Sequence, residues 1–397
     1  MTGAAGGRTV SVHDSLSDAI RSAHLVIVGA GLFGLTIAER AAAIGARVVV
    51  LDRRTTLGGN AHSYIEPSTG IEVHRYGTHV FHTSNRRVWD YVNRFTRFTD
   101  YRHRVLAVHA DQVYPVPINL ATMSAFYGRS LDPEQARELL ARERSAAPQQ
   151  ADNLEDQAIA MVGRPLYEAF IRGYTAKQWQ CDPRRLPADV IRRIPVRFTF
   201  DSDYFSDTWQ GLPERGYGPW FDTMVRNRSI DVRLGTDFHD VRHLLDGTVP
   251  LVYTGPIDAY FDHRHGALGW RTIDFTTTVM DIADFQGTAV VNYPDEDVAF
   301  TRIHEFRHLH PERTVAGGRT VVAHEYSRSA GPRDEPYYPV RALEDSRILS
   351  RYREAARRET NVLFGGRLGT YQYLDMHMAI ASALTAFDND VTHRIRS

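Results

Sequence analysis

The stretch His24-Leu25-Val26-Ile27-Val28-Gly29-Ala30-Gly31-Leu32-Phe33-Gly34 decides the fold. The residues after His24 are apolar on both faces, as a central strand of a parallel sheet must be. Gly29, Gly31 and Gly34 then let the backbone turn and approach a pyrophosphate at a helix N-terminus. A helix is expected from about Leu32 to Ile44, with small Ala38, Ala41 and Ala42 for close packing, and Gly45 ends it. A second strand, Arg47 to Leu51, leads to Asp52, whose carboxylate can accept ribose hydroxyls. An acid about 20 residues beyond the glycines completes a dinucleotide-binding βαβ unit. These residues do not choose between FAD and NAD. Arg53 lies beside the acid, but an intact acid argues against a 2′-phosphate.

Near the other end stands Gly365-Gly366-Arg367-Leu368-Gly369-Thr370-Tyr371-Gln372-Tyr373-Leu374-Asp375-Met376, a glycine-rich turn that opens a helix expected to run to Phe387. It can close over the far end of the same cofactor. Gly58-Gly59-Asn60, just past the second strand, suits either a plain turn or a loop passing close to a phosphate or flavin.

The chain has 397 residues, enough for two or three domains, and a formal net charge of -1. No overall positive field argues for nucleic acid or acidic membranes. A single cysteine, Cys181, rules out an internal disulfide and fits a reducing cytosol, so a cytoplasmic location is expected. No apolar run is long enough to span a membrane. Residues 1–20 read as a flexible leader without a signal-peptide core.

Between the two signatures, Tyr101 to Val116 reads as a hairpin with an Asp111-Gln112 turn. Leu131 to Gln180 is helical, with starts at Asp132-Pro133-Glu134 and near Asp152 or Asn153. Cys181 to Pro195, with three prolines and six charged residues, reads as a mobile surface loop. Short β-like runs follow at 196–200, 230–234, 251–254, 271–280, 287–293 and 320–326.

Several constellations could carry chemistry. Tyr76-Gly77-Thr78-His79-Val80-Phe81-His82-Thr83 sets two histidines three apart, with no Cys or acid pair at metal spacing, so no metal is expected. The run Tyr167 to Trp179 concentrates aromatics that suit a helix core or a base-stacking cleft. Arg193, Arg302, Tyr204 and Tyr326 would suit a diphosphate if the fold brought them together.

From about His24 to Ala386 the chain resembles bacterial UDP-galactopyranose mutases. The most specific stretches are Gly77 to Thr83, Gly173-Tyr174-Thr175-Ala176-Lys177-Gln178-Trp179, Thr301-Arg302-Ile303-His304-Glu305 and Gly365 to Met376. The resemblance implies an α/β chain. Its discontinuous Rossmann-like FAD-binding domain would span 21–100, 213–260 and 327–397, with a helical domain at 117–180. A twisted antiparallel sheet domain would cover 101–116, 181–212 and 261–326, with the mobile loop at 181–195.

The implied activity is interconversion of UDP-galactopyranose and UDP-galactofuranose through a covalent N5-sugar adduct of reduced FAD, without net redox change. NAD(P)H or another reductant would supply electrons, and a homodimer is the usual assembly. Matched position by position, Arg193 and Arg302 grip the diphosphate, and Tyr204, Tyr326 and Tyr373 lie near phosphates and sugar. Phe170, Tyr174, Thr175 and Trp179 wall the uridine and sugar, and Asn292 lies near both. His79 and His82 lie near the flavin. Gly29, Gly31, Phe33, Gly34, Asp52, Arg53, Gly59, Asn60, Gly366, Arg367, Asp375 and Met376 contact FAD, with Asp375 also near the reaction. The same chemistry on another nucleotide sugar, or a flavin oxidoreductase of amine-oxidase type, are the competing expectations.

Overall fold

The structure is a computed structural model that describes residues 12–144, 150–191, 195–315 and 317–395. Leu25–Val28 forms the centre of a five-stranded sheet in the order Val362–Phe364, Leu251–Tyr253, Leu25–Val28, Val48–Asp52, Ile230–Leu234. Every pairing in it is parallel. Apolar side chains on both faces of its central strands feed two separate cores. The helix Leu32–Ala43 is buried on nearly every side, through Leu35, Ile37, Ala38 and Ala41 among others, and Met376–Ala386 packs beside it.

A second sheet runs Tyr338–Pro339, Trp270–Met280, Thr320–Ser329, Arg302–Glu305, Val290–Asn292, Val105–His109, Gln112–Val116. It is antiparallel except where Val290–Asn292 runs parallel to Val105–His109. Its longest pairing, Trp270–Met280 with Thr320–Ser329, extends three residues past the strand end expected at Tyr326. A third core, led by Leu120, Met123, Leu140, Leu154, Leu166 and Tyr167, unites the helices of residues 120–179.

Four local expectations need correction. Val12–Ser22, which begins within the flexible leader expected at residues 1–20 and runs two residues past it, is a helix that buries Leu16 and Ile20 against the parallel sheet. Its apolar residues recur four apart, the spacing of one helix face, within a polar composition that masks them. Val196–Phe200 forms no strand, because Arg197 N–H donates to Ile118 and Leu120 N–H to Thr199, which pins the segment to a helix start. The hairpin turns on Ala110 and Asp111, with φ of 49° and 61°, one residue earlier than expected. The segment 181–191 folds into two short 3₁₀ turns whose Leu186 and Ile191 enter the helical core.

Candidate active site

A cavity of about 830 Å³ opens at the C-terminal ends of the parallel strands, where ligands of such sheets sit. It is lined by Gly29, Gly31, Phe33, Gly34, Asp52, Arg53, Gly59, Asn60, Gly366, Arg367 and Met376, together with His79. Of the residues expected at a cofactor, only Asp375 stands outside this lining. A second cavity, about 620 Å³, lies at the opposite strand ends around His24, Pro250, Asn361 and Arg394 and holds none of the expected residues.

The glycines do different work. Gly29 has φ of +104°, and a Cβ there would stand 2.0 Å from Thr254 Oγ1. A Cβ on Gly34 would meet the Gly29 carbonyl at 2.0 Å, so this glycine allows the helix to seat on the turn. Gly31 differs: a Cβ would meet nothing within 4 Å. It begins the helix Leu32–Ala43 without a side-chain cap, which leaves the first helical amides free for an anion.

Asp52 accepts from Ala30 N–H at 2.7 Å and from Arg54 N–H at 2.8 Å, one on each oxygen. Burial raises its pKa, against the pull of these amides and of Arg54. The neighbouring Arg54, which sequence reasoning missed in favour of Arg53, is the more deeply set. It donates to Glu335 at 2.6 Å and Asn60 at 2.9 Å and lies 4.5 Å over the Tyr76 ring. Its Nη1 is buried without a partner. Arg53 is half exposed and shares the same Glu335 oxygen at 2.7 Å. The signal lies in distance from the strand end: side chains alternate along Val48–Asp52, and the chain turns just beyond it.

His79 continues the cleft. Its Nδ1–H donates to the Gly77 carbonyl at 2.7 Å, and its backbone N–H donates to His74 Nδ1 at 3.0 Å. Burial holds its pKa down at about 4, so the ring is neutral and Nε2 is an acceptor. His82 stacks on Phe205 at 3.7 Å and donates through Nδ1 to Asp207 at 2.6 Å. It also joins Asp375 and His377, ligand-type atoms of all three lying within 4.8 Å, a grouping the sequence spacing gave no sign of. Tyr373 donates to Asp375 Oδ1 at 2.9 Å, stacks near Tyr338 at 5.8 Å, and lies under Arg367 at 5.2 Å.

The second sheet contributes a charged chain. Arg302 and Glu325 are directly opposed on neighbouring strands, with Nε to Oε1 at 3.4 Å. Arg302 also donates to the Tyr174 hydroxyl. Glu325 accepts from His304 Nε2–H at 2.9 Å and from Thr301 at 3.1 Å. His304 Nδ1 then accepts from Thr78 at 2.8 Å, which links Arg302 to the residue before His79. Burial works against both charges. Glu325 overcomes it and raises the Arg302 pKa well above normal, and Arg302 with His304 lowers that of Glu325. Burial keeps His304 neutral. Sequence reasoning found Arg302 but not Glu325, His304 or Thr78 as its supports.

Tyr338 and Tyr204 lie close enough to add to the electrostatic support of Arg302, and Tyr326 faces Phe300 at 6.3 Å. Asn292 pairs with Arg302 across the ladder, and its Oδ1 is buried without a partner. Thr175 is buried on the helix that carries Tyr174 and Trp179. Phe170 stands apart, edge-on to Tyr114 and Phe126 in the helical core. Arg193 lies outside the described residues.

A family model described as UDP-galactopyranose mutase matches residues 169–373, which hold this charged chain, and one described as an NAD(P)-binding Rossmann-like domain matches 27–95. A probable UDP-galactopyranose mutase of Klebsiella pneumoniae is 40% identical over 370 residues, 92% of this chain and 94% of that protein. The chain belongs to the UDP-galactopyranose mutase family. A dTDP-fucopyranose mutase of Escherichia coli is 38% identical, over 91% of this chain and 96% of that protein. The solved structure of a reduced UDP-galactopyranose mutase shares the fold, with a TM-score of 0.72 over 94% of each chain at 14% identity. The protein is thus a nucleotide-sugar mutase of this family, an isomerase built on a Rossmann-like dinucleotide domain. No described helix is long and apolar enough to cross a membrane.

Proposed function

We propose that this protein binds FAD and, with the flavin reduced, interconverts UDP-galactopyranose and UDP-galactofuranose. The observation that carries the reading is the meeting of two features. A cavity with open space at Gly31 and uncapped amides beside it is linked, through its lining residue His79, the neighbouring Thr78 and His304, to an arginine held by a buried carboxylate. The cavity size is within the range of sites that enclose small-molecule ligands, about 300–1,000 Å³. Each Asp52 oxygen keeps a second lone pair for ribose, and Arg54 lines the same cavity. These features fit an FAD whose pyrophosphate lies along Gly29–Gly34. Reduced flavin supplies a nucleophilic nitrogen for the anomeric carbon.

The chain's own residues do the rest. Arg302 is fixed as a cation by Glu325 and aims at charge on the departing and returning nucleotide diphosphate. Tyr174 sets its hydroxyl against Arg302, and by resemblance Tyr204, Tyr326 and Tyr373 lie near the phosphates and sugar. His79, neutral, offers Nε2 as an acceptor at the cofactor side. His82 and Asp375 border that region, and Thr175, Trp179 and Asn292 complete the wall. By resemblance Arg193 is the second diphosphate arginine. NAD(P)H or another reductant keeps the flavin reduced, and the working unit is a homodimer in the cytoplasm.

The similarity to the dTDP-fucopyranose mutase favours a second reading, the same chemistry on a deoxythymidine-linked 6-deoxy sugar. Side-by-side turnover of UDP-galactofuranose and dTDP-fucofuranose by the reduced enzyme separates them. A higher kcat/KM for the uridine substrate supports the first reading, and a higher value for the thymidine substrate replaces it with the second.

A further inference from the structure

The chain contains a single lysine, Lys177, among its 47 basic Lys and Arg residues. It stands on the helix Gly173–Trp179, which also presents Tyr174 to Arg302. Its ammonium donates to four backbone carbonyls: Tyr293 and Asp295 at 2.6 Å, Val298 at 2.9 Å and Phe300 at 3.1 Å. An ammonium has only three protons, so the four oxygens surround it as they would a bare cation. All four belong to the connection between Val290–Asn292 and Arg302–Glu305, two strands whose last pair is Asn292 with Arg302.

Other contacts converge on the same connection. Tyr293 N–H donates to Thr301 at 2.9 Å and closes its neck. Asp295 accepts from Ala110 N–H at 3.0 Å and from His109 Nδ1. Gly173 presses against it: a Cβ there would stand 2.3 Å from the Pro294 carbonyl. Four carbonyls turned toward one point repel one another and need donors there, and the Lys177 ammonium supplies both donors and opposing charge.

We infer that Lys177 is a positioning residue: its ammonium holds the 293–300 connection shut and thereby places Arg302 and Asn292 against the helix that carries Tyr174. This rests on the proposed function only in the role given to Arg302; the clamp itself is a matter of geometry. A flat guanidinium cannot reproduce a point charge among four converging oxygens, so arginine should not substitute.

The test begins with the wild-type holoenzyme. Lys177 is the sole side-chain amine, so an N-hydroxysuccinimide ester reports on it directly by mass. The expected result is a native chain acylated at its N-terminus but not at Lys177, and modification of Lys177 after unfolding in urea. Native labelling at Lys177 as fast as at the N-terminus overturns the clamp, whatever the reaction proves to be. In an enzyme shown to turn over its substrate, Lys177→Met should keep its cofactor yet lose about 10²-fold in kcat, the scale of a misplaced catalytic group. Methylammonium should restore part of the loss, and Lys177→Arg should not recover it. Wild-type kcat and KM in Lys177→Met contradict the proposal. If that variant fails to fold, Gly173→Ala, which must push Pro294 away, should give the same loss; unchanged kinetics there also contradict it.

Discussion

The two halves of the cleft are built from different materials. The dinucleotide side is made of backbone: glycines, uncapped helical amides and one carboxylate fixed by two N–H groups. The sheet side is made of side-chain charge and its support: partly buried Arg302 is held by buried Glu325, and Glu325 by neutral His304. A backbone site is set by local conformation and fails by steric exclusion. A charge network is set by strand pairing and fails when one partner is removed. The difference teaches that a mutation in the first half should cost cofactor, and one in the second should cost chemistry first.

The largest effect should come from Gly34→Val. Its Cβ must occupy space 2.0 Å from the Gly29 carbonyl, and the protein should purify without flavin absorbance. A fully loaded variant would break the distinction on the backbone side. Next, Arg302→Ala should lower kcat by roughly 10²–10³-fold, as loss of one charge-stabilising donor does, while flavin content stays at wild-type level. Wild-type rates would remove the diphosphate role. Asp52→Ala should weaken flavin retention measurably on dialysis, because two backbone amides lose their acceptor along with the proposed ribose contact.

Glu325→Gln sharpens the comparison further. It should lower stability by up to about 3 kcal/mol, the low end for a broken buried pair because Arg302 is 28% exposed. Urea unfolding would read this, and flavin content should not change.

How much of this was legible follows the same division. The βαβ unit was readable because strand, turn and helix are neighbours in sequence, and Gly29, Gly31, Gly34 and Asp52 report on one another. Arg302 was readable as a charge within a matched motif. Glu325 was not, although it sits beside Tyr326: its partnership depends on the register that sets it opposite Arg302. The same holds for His377, which meets His82 only after the chain has folded back. Phe170 shows the reverse case, an aromatic expected at a wall and found in the helical core. The helix at Val12–Ser22 was hidden by composition: Leu16 and Ile20 are the buried residues among its described side chains that fix its face.

The smallest expected effect lies away from the cleft. His308 Nε2 lies 3.4 Å from buried Glu305 and 3.1 Å from Asp284, and Glu305 leads in raising its pKa. A raised folded value means the stabilisation is complete below the ordinary histidine range and is lost as pH rises through the folded value. His308→Gln should therefore cost more stability near pH 5.5 than near pH 9, the difference being no more than about 1 kcal/mol. An equal loss at both pH values would show that the contact is not ionic.

The central claim is a nucleotide-sugar mutase whose flavin must be reduced. Its most direct test is turnover of UDP-galactofuranose by the purified protein with dithionite and, in parallel, with the flavin oxidised, products being separated by chromatography. The account predicts UDP-galactopyranose only in the reduced sample. Equal conversion in the oxidised sample would contradict it, as would no conversion of either UDP-galactofuranose or dTDP-fucofuranose by a protein whose flavin is bound and fully reduced.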